Sequence, residues 1–472
     1  MRKNIIDIKT KLDALAQKGK LQGALVKVIA SDLFWLLIAC GIFRLVFYYC
    51  LNDKLCPDSN YYMNYSENIF LGQINYLVTP VYPYFIKLIK LFGEENLIRN
   101  ITLAQSVISF LTIIVFYKTL CAVYKKRVVI IMATFFYGIM PSIISFDKII
   151  LTESISISGA VIFLYFIVSY LKNPTRFKAV SYPLYIFFLI MLRPSFIILL
   201  LIIIIFWVLR MIFLKTERKL CIYGLSASAM CILLIMGYTR LNYVNNEIKG
   251  ISAVSTVNLL DIIVNENMYM NGNDPEISTT IKNTPPGPHL PYNTNIRLTL
   301  FKNYPHERID KFLKSCIINQ PKSYISMIAK RIYYVIQQPA SPDDSFINPK
   351  AGSFGKIGMF LLHMITIPFV LIYLLLFFDF IYIVALWIRS RQLPWFKIGL
   401  WSVITAQLLL VITGTIGQAD YARIFVEALP YVIVLLFGYM DMIVYAVDKG
   451  KLAEYPKLSF LKPSTKKTFL GK

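Results

Sequence analysis

The chain has 472 residues, 57% of them hydrophobic and 15% aromatic, with a mean hydropathy of +0.59 and a net charge of +23. A composition this apolar excludes an ordinary soluble enzyme and marks a polytopic helical membrane protein. The basic residues cluster in short segments between apolar runs, which is the pattern of cytoplasmic loops and argues against a nucleic-acid surface.

The first 28 residues are basic and amphipathic, with Arg2, Lys3, Lys9, Lys11, Lys18, Lys20 and Lys27. They are too long and polar for the start of a signal peptide and read as a cytoplasmic helix lying along the inner membrane face. Ten membrane spans follow, near residues 29–51, 99–122, 128–146, 151–171, 179–192, 195–214, 219–239, 357–387, 397–415 and 424–446. The segment 80–92 is too short for a bilayer core and carries Lys87 and Lys90 on one helical face. If it does not span, Lys125-Lys126-Arg127, Lys172/Arg176/Lys178, Lys215/Arg218/Lys219 and Arg389/Arg391/Lys397 all fall inside. If it spans, these all move outside while the basic N-terminus stays in, against the positive-inside rule. The segment is therefore expected to be a juxtamembrane helix on the outer surface, packed beside Asp58.

This topology divides the chain into a cytoplasmic segment 1–28, a transmembrane catalytic module 29–239 with a first external loop 52–98, an external domain 240–356, C-terminal helices 357–446 and a basic cytoplasmic tail 447–472. The external domain ends in two helices, His306–Asn319 and Lys322–Gln337, and Ile309, Phe312, Leu313 and Ile317 form an apolar stripe on the first. Both termini are expected to be cytoplasmic in a multi-pass protein of the plasma (inner) membrane. Outer loops are poor in cations, and Lys54 and Lys148 read as side chains snorkelling to headgroups. The seven cysteines form no Cys-x-x-Cys pair; they read as buried thiols, with one disulfide among Cys50, Cys56 and Cys316 as the alternative.

Ionisable residues collect on the outer side. Asp58 follows the first span; Asp147 and Glu153 bracket the next outer turn; Arg193-Pro194 forms another; Asp420-Tyr421-Ala422-Arg423 precedes the last span. Such residues are costly at a membrane and default to a functional reading. The bland alternatives are a helix-capping role for Glu153 with Thr152, an interfacial Arg193 and an i,i+3 pair of Asp420 with Arg423.

Asp58-Ser59-Asn60-Tyr61-Tyr62 through Gly72 to Pro80-Val81-Tyr82-Pro83 resembles the acidic first loop of the protein mannosyltransferase and aminoarabinose transferase family, within the GT-C class. Leu151-Thr152-Glu153-Ser154 is similar to the second acidic motif of that family, and Met191-Leu192-Arg193-Pro194 to its Arg-Pro turn. The stretch from Gly250 to Asn258 is similar to the start of its external domain, Asn319-Gln320-Pro321 to a later helix start, and Arg423 with Pro430 to its last-span signature. The family often has a Glu after the first-loop Asp, where this chain has Ser59. Some members carry a Lys before the Pro pair of that loop, where this chain has Thr79. The resemblance implies an all-α GT-C-like fold and an inverting transfer of a sugar from a polyprenyl phosphate to an acceptor hydroxyl on the outer face. The chemistry of such a transfer points to Asp58 as general base, Glu153 orienting the acceptor or the sugar, Arg193 and Arg423 clamping the departing phosphate, and Tyr61, Tyr82, Lys87, Asp147 and Tyr421 on the substrates. A carboxylate suits the base because its surroundings tune its pKa, and arginine suits the leaving phosphate. The partners are then a polyprenyl-phosphate sugar, a glycan, lipid or protein acceptor and membrane lipids, with no nucleic acid.

No cofactor is expected. His289, His306 and His363 have no zinc spacing, and no nucleotide-binding glycine motif occurs; a divalent ion between Asp58 and Glu153 stays open. Two other readings stand beside the transferase. One is an O-antigen polymerase or ligase type of glycan enzyme working through Arg193, Arg423 or Arg331. The other is a secondary transporter or lipid flippase, which calls for inverted repeats that the sequence does not display; Asp32, Arg44 and Asp379 are the charges most nearly inside spans.

Overall fold

The computed structural model describes residues 31–287, 293–337, 369–391, 393–417 and 421–449. The segments expected as the N-terminal amphipathic helix, the Asp420 turn and most of the basic tail lie outside them, as does the start of the eighth expected span.

The described chain is all-α, with no strand among the described residues. The first helix, α1 (Asp32–Cys50), starts where the Ser31 hydroxyl accepts from the Phe34 N–H at 3.3 Å, and Asp32 complements the helix dipole. Two short helices follow in the first loop, α2 (Ser59–Met63) and α3 (Val81–Lys90). Then come α4 (Leu97–Val123), α5 (Arg127–Ile139) and α6 (Pro141–Asp147). Pro141 disfavours a helical backbone at Met140, so α5 and α6 form one apolar stretch bent by 40°. The bundle continues with α7 (Glu153–Lys172), α8 (Arg176–Leu192), α9 (Ile197–Phe213) and α10 (Arg218–Asn246), and closes with α16 (Phe369–Ser390), α17 (Trp395–Gly417) and α18 (Tyr421–Lys449).

Among the described residues, eight helices are long and apolar enough to cross a membrane, nine if α5 and α6 make one span. The helix expected at 179–192 is present as the 17-residue α8, buried against α7 and α10. Exposed side chains such as Ile42, Leu45, Leu233, Met236 and Phe377 face outward, as lipid-facing residues do. The chain is a multi-pass membrane protein. Cys40, Cys50, Cys221, Cys231 and Cys316 are buried free thiols.

The helices interlock across long sequence distances. α7 packs on α4, α8, α17 and α18. At the Arg127 end of the bundle the buried Asp441 carboxylate accepts the Lys126 N–H at 2.8 Å and the Lys125 N–H at 3.1 Å, so α18 caps the start of α5. Asp32 and Arg127 form an ion pair at the same end.

Residues 254–337 form α11 (Val254–Asn265), α12 (Pro275–Asn283), α13 (Thr294–Asn303), α14 (His306–Asn319) and α15 (Pro321–Gln337). α11 to α14 surround their own core of Leu260, Ile263, Ile277, Leu300, Ile309, Phe312 and Leu313. The apolar stripe expected on α14 is this core's contribution, with Ile317 packed at its edge. The approach to this region is fixed on the first loop. Asn245 donates to the Gly72 carbonyl at 2.9 Å, Asn246 to the Ile74 carbonyl at 2.8 Å, and the Ala253 N–H to the Tyr76 carbonyl at 2.8 Å.

Candidate functional site

Turns distant in sequence are hydrogen-bonded together at one end of the bundle. The Lys54 N–H donates to the Lys148 carbonyl at 2.9 Å and the Ile150 N–H to the Lys54 carbonyl at 3.3 Å, which joins the first loop to the turn between α6 and α7. The buried Ser59 hydroxyl accepts from the Cys56 N–H at 2.9 Å and donates to the Ile150 carbonyl at 2.8 Å. Asp58, half-buried, is thereby held at the first turn of α2, close to the chain that leads into Glu153.

α3 packs against α2, as its length and charge led one to expect. The Tyr62 ring meets the Tyr82 ring edge-on at 5.0 Å. Tyr82 is fully buried and donates to Gln105 Oε1 at 2.5 Å; the Gln105 amide in turn donates to the Asp147 and Ile149 carbonyls at 3.0 and 2.8 Å. Burial pushes the Tyr82 phenol well above its ordinary value, with smaller contributions from Tyr62 and Glu153. Tyr61 is exposed. Lys87 donates to the Glu67 carbonyl at 3.2 Å and lies over the Tyr65 and Tyr84 rings, while Lys90 donates to the Met63 carbonyl at 3.3 Å. Both lysines tie α3 to the first loop. The Thr79 hydroxyl donates to the Leu192 carbonyl at 3.2 Å, which joins this loop to the Arg193 turn.

Asp147 is buried. Ser154 Oγ donates to it at 2.6 Å, and Arg44 pairs with it at 3.4 Å while also donating to the Gly138 carbonyl and Ser109. Only 1% exposed, Asp147 has no surface to offer a substrate and positions α6 against α1 instead. Arg44, one of the charges nearest the middle of a span, thus has a carboxylate partner. Lys148 does not snorkel. It is 4% exposed, paired with Asp53 at 2.6 Å and stacked over the Tyr48 ring at 3.5 Å.

Glu153 opens α7 with 0% exposure. Its partner is Arg193, which donates to Glu153 Oε1 at 3.2 Å and to Glu427 Oε1 at 2.5 Å. Glu427, on α18, is also 0% exposed, and the Arg193 side chain keeps 15% of its surface. Arg193 is therefore the part of this cluster that a ligand can reach. Glu427 was hidden in the sequence within Phe425-Val426-Glu427-Ala428-Leu429, although a lone carboxylate in an apolar run is itself a signal. Tyr421 and Arg423 lie in the first turns of α18, Arg423 one turn before Glu427; their side chains are outside the described residues.

The second core contributes Arg297, on α13. Its guanidinium pairs with Asp261, Nε donating to Oδ1 at 3.0 Å, and the Asn293 N–H donates to the same carboxylate at 3.2 Å. Burial lowers the Arg297 pKa, opposed by the charge of Asp58 and by Tyr61, which lie within electrostatic reach of it. Arg331, on α15, is half-buried beside Glu266.

Three crystal or complex structures from Archaeoglobus fulgidus resemble this fold. They are the archaeal oligosaccharyltransferase AglB with an inhibitory peptide and a dolichol-phosphate (13% identity, TM-score 0.45), an oligosaccharyltransferase with Zn and sulfate (13%, 0.43), and its apo form (12%, 0.44). Each match covers 88% of this chain and 49–52% of the other, so the chain spans about half the length of these structures. No family model matches the chain, and no curated protein matches it in sequence.

Chemically, the assembled end offers a half-buried carboxylate, an exposed tyrosine and a guanidinium held between two buried acids. Among the described residues, no three His, Cys, Asp or Glu side chains come together as a metal site would require.

Proposed function

We propose that the protein is a membrane glycosyltransferase of the GT-C type, moving a sugar from a polyprenyl phosphate to an acceptor hydroxyl on the outer face. The observation that carries this reading is the hydrogen-bonded joining of the Asp58 loop, the Glu153 turn and the Arg193 turn at one end of an apolar bundle. A lipid phosphosugar presents its anomeric carbon at a membrane surface, so a catalyst needs a base and a phosphate clamp there, with apolar helices beside them.

In this reading Asp58 takes the acceptor proton as the hydroxyl oxygen bonds to the anomeric carbon and the bond to the phosphate oxygen breaks. Arg193 meets the charge that gathers on the leaving phosphate, because a preorganised guanidinium stabilises it most as it develops. Glu153 and Glu427 act through Arg193: they fix its direction and leave one exposed side for the anion. Arg423 is the second cation in the proposal, and Tyr61 and Tyr421 are its substrate-side aromatics. A single displacement inverts the anomeric centre. The outer placement of this end and cytoplasmic termini follow from the loop charges.

The test is mass spectrometry of polyprenyl-phosphate sugars in host membranes, comparing wild type, a deletion and Asp58→Asn at matched expression. Accumulation of one phosphosugar in both the deletion and the variant supports the reading and names the sugar. If the deletion has an effect that Asp58→Asn fully restores, Asp58 is not the base, and the polymerase and transporter readings take precedence.

A further inference from the structure

At the far end of α9 from Arg193 lies a second polar cluster that this chemistry does not use. Arg210 is in the last turn of α9 and only 4% exposed. Its NH2 pairs with Glu217, while Nε and NH1 have no hydrogen-bond partner. Around it stand Tyr170 of α7, Tyr182 of α8 and Trp207 of α9, each with no exposed surface. Their polar hydrogens, on the two phenols and the indole nitrogen, also find no acceptor.

The groups are close. The Tyr170 ring lies 5.0 Å from Trp207 and 5.6 Å from Tyr182, and Tyr182 stacks on Trp207 at 5.4 Å with 13° between the planes. The guanidinium carbon is 5.3 Å from the Tyr170 centroid, 5.5 Å from Phe206 and 6.0 Å from Trp395. These contacts satisfy the cation through the rings' faces. They leave its Nε and NH1 groups without acceptors, a costly arrangement for buried donors. The packing leaves little room to turn the indole away, since a Cβ at Gly224 would sit 2.1 Å from it.

We infer that this cluster is a binding site for a phosphate group. Every unpartnered atom here is a hydrogen-bond donor, so what completes the set is rich in acceptors and negatively charged. A tetrahedral phosphate presents several oxygens to donors that come from three helices, and arginine matches it well. Glu217, whose side chain is 25% exposed, links the buried cluster to the surface, and exposed Lys215, Arg218 and Lys219 around it gather anions. Glu217 is the resident competitor: its carboxylate occupies one guanidinium nitrogen until a phosphate takes its place. The phosphate comes from a lipid headgroup or from solution. This site is independent of the proposed transfer reaction.

The experiment measures binding to the purified full chain in an uncharged detergent. One arm adds inorganic phosphate, and a second adds mixed micelles containing phosphatidylglycerol, with diacylglycerol micelles as the control without phosphate. Tyr182→Phe removes a donor without changing volume and is expected to weaken binding about tenfold, the worth of one charge-assisted hydrogen bond. Glu217→Gln removes the competing charge and is expected to tighten it. Binding in the first arm alone assigns the site to free phosphate, and in the second alone to a lipid headgroup. No binding in either arm, binding of diacylglycerol equal to that of phosphatidylglycerol, or an affinity that either variant leaves unchanged overturns the inference and leaves ordered water as the cluster's partner.

Discussion

Arg193 and Glu427 are 234 positions apart and share a 2.5 Å hydrogen bond in which the carboxylate is fully buried. The same NH1 also serves Glu153. A guanidinium between two desolvated acids is held in direction but strongly coupled to stability. Arg193→Met leaves both carboxylates buried without their shared cation, which costs about 3–5 kcal/mol by the usual penalty for breaking a buried pair. The triple variant Arg193→Met, Glu153→Gln, Glu427→Gln removes the charges together. It is expected to regain most of the thermal stability in detergent and none of the transfer activity. Recovery of transfer in the triple variant would contradict the clamp role of Arg193.

Asp58 is a different case, because its carboxylate does not cap α2 and the loop around it is held by Ser59 and Lys54. Asp58→Asn is expected to fold with wild-type stability and to lose transfer by roughly 10²–10⁴-fold, the usual contribution of a general base. Single-turnover transfer with a purified lipid phosphosugar checks this. Loss of folding in place of activity would make Asp58 a structural residue.

Gln105 is the least obvious support of the site. Its amide N–H groups donate to two carbonyls of the turn before Glu153 while its oxygen accepts from the Tyr82 hydroxyl. Gln105→Leu keeps the volume and leaves these buried groups unmatched, each at about 1–3 kcal/mol. The expected result is a lower melting temperature together with faster hydrogen exchange in residues 147–153, read by mass spectrometry. Unchanged exchange there would show that the turn does not depend on this residue.

His306, at the start of α14, stacks on Phe301 at 5.3 Å, and burial lowers its pKa with Asp310 opposing. A base with a depressed folded-state value adds stability that is complete above the unfolded value, about 6.5, and is lost as pH falls through the window beneath it. The core of α11 to α14 is therefore expected to lose protection against hydrogen exchange, after correction for the intrinsic rate at each pH, between pH 7.5 and pH 5, with His306→Gln flattening this step. The hydrogen-bonded Arg308 beside Asp274 holds that carboxyl below the usual carboxylate range, so its own contribution disappears only in stronger acid. A pH step that survives in His306→Gln would assign the titration elsewhere.

Most of the helices were legible because bilayer thickness and the 3.6-residue period act on long stretches; His306–Asn319 shows the expected bounds, with Pro321 opening the next helix. The non-spanning 81–90 helix was legible from length and two lysines. The site was legible only as a set of turns. Glu427 escaped because its role depends on Arg193, more than two hundred residues away, and Arg297 because nothing local reveals Asp261 closing on it. Lys148 was misread because nothing local reveals Asp53 and Tyr48 closing around it. The pairing of Asp147 was equally hidden, since its neighbour Arg44 comes from the first span.

The Asp441 cap has a consequence for biosynthesis. The peptide groups at Lys125 and Lys126 acquire their acceptor from a helix made more than 300 residues later. Arg193 likewise waits for Glu427. While the ribosome is still translating α16 and α17, the early helices in the translocon have both ends of their central seam open. α18 locks the inserted bundle at both ends at once, so a nascent chain interrupted before α18 is a substrate for membrane quality control, whatever its earlier helices have achieved.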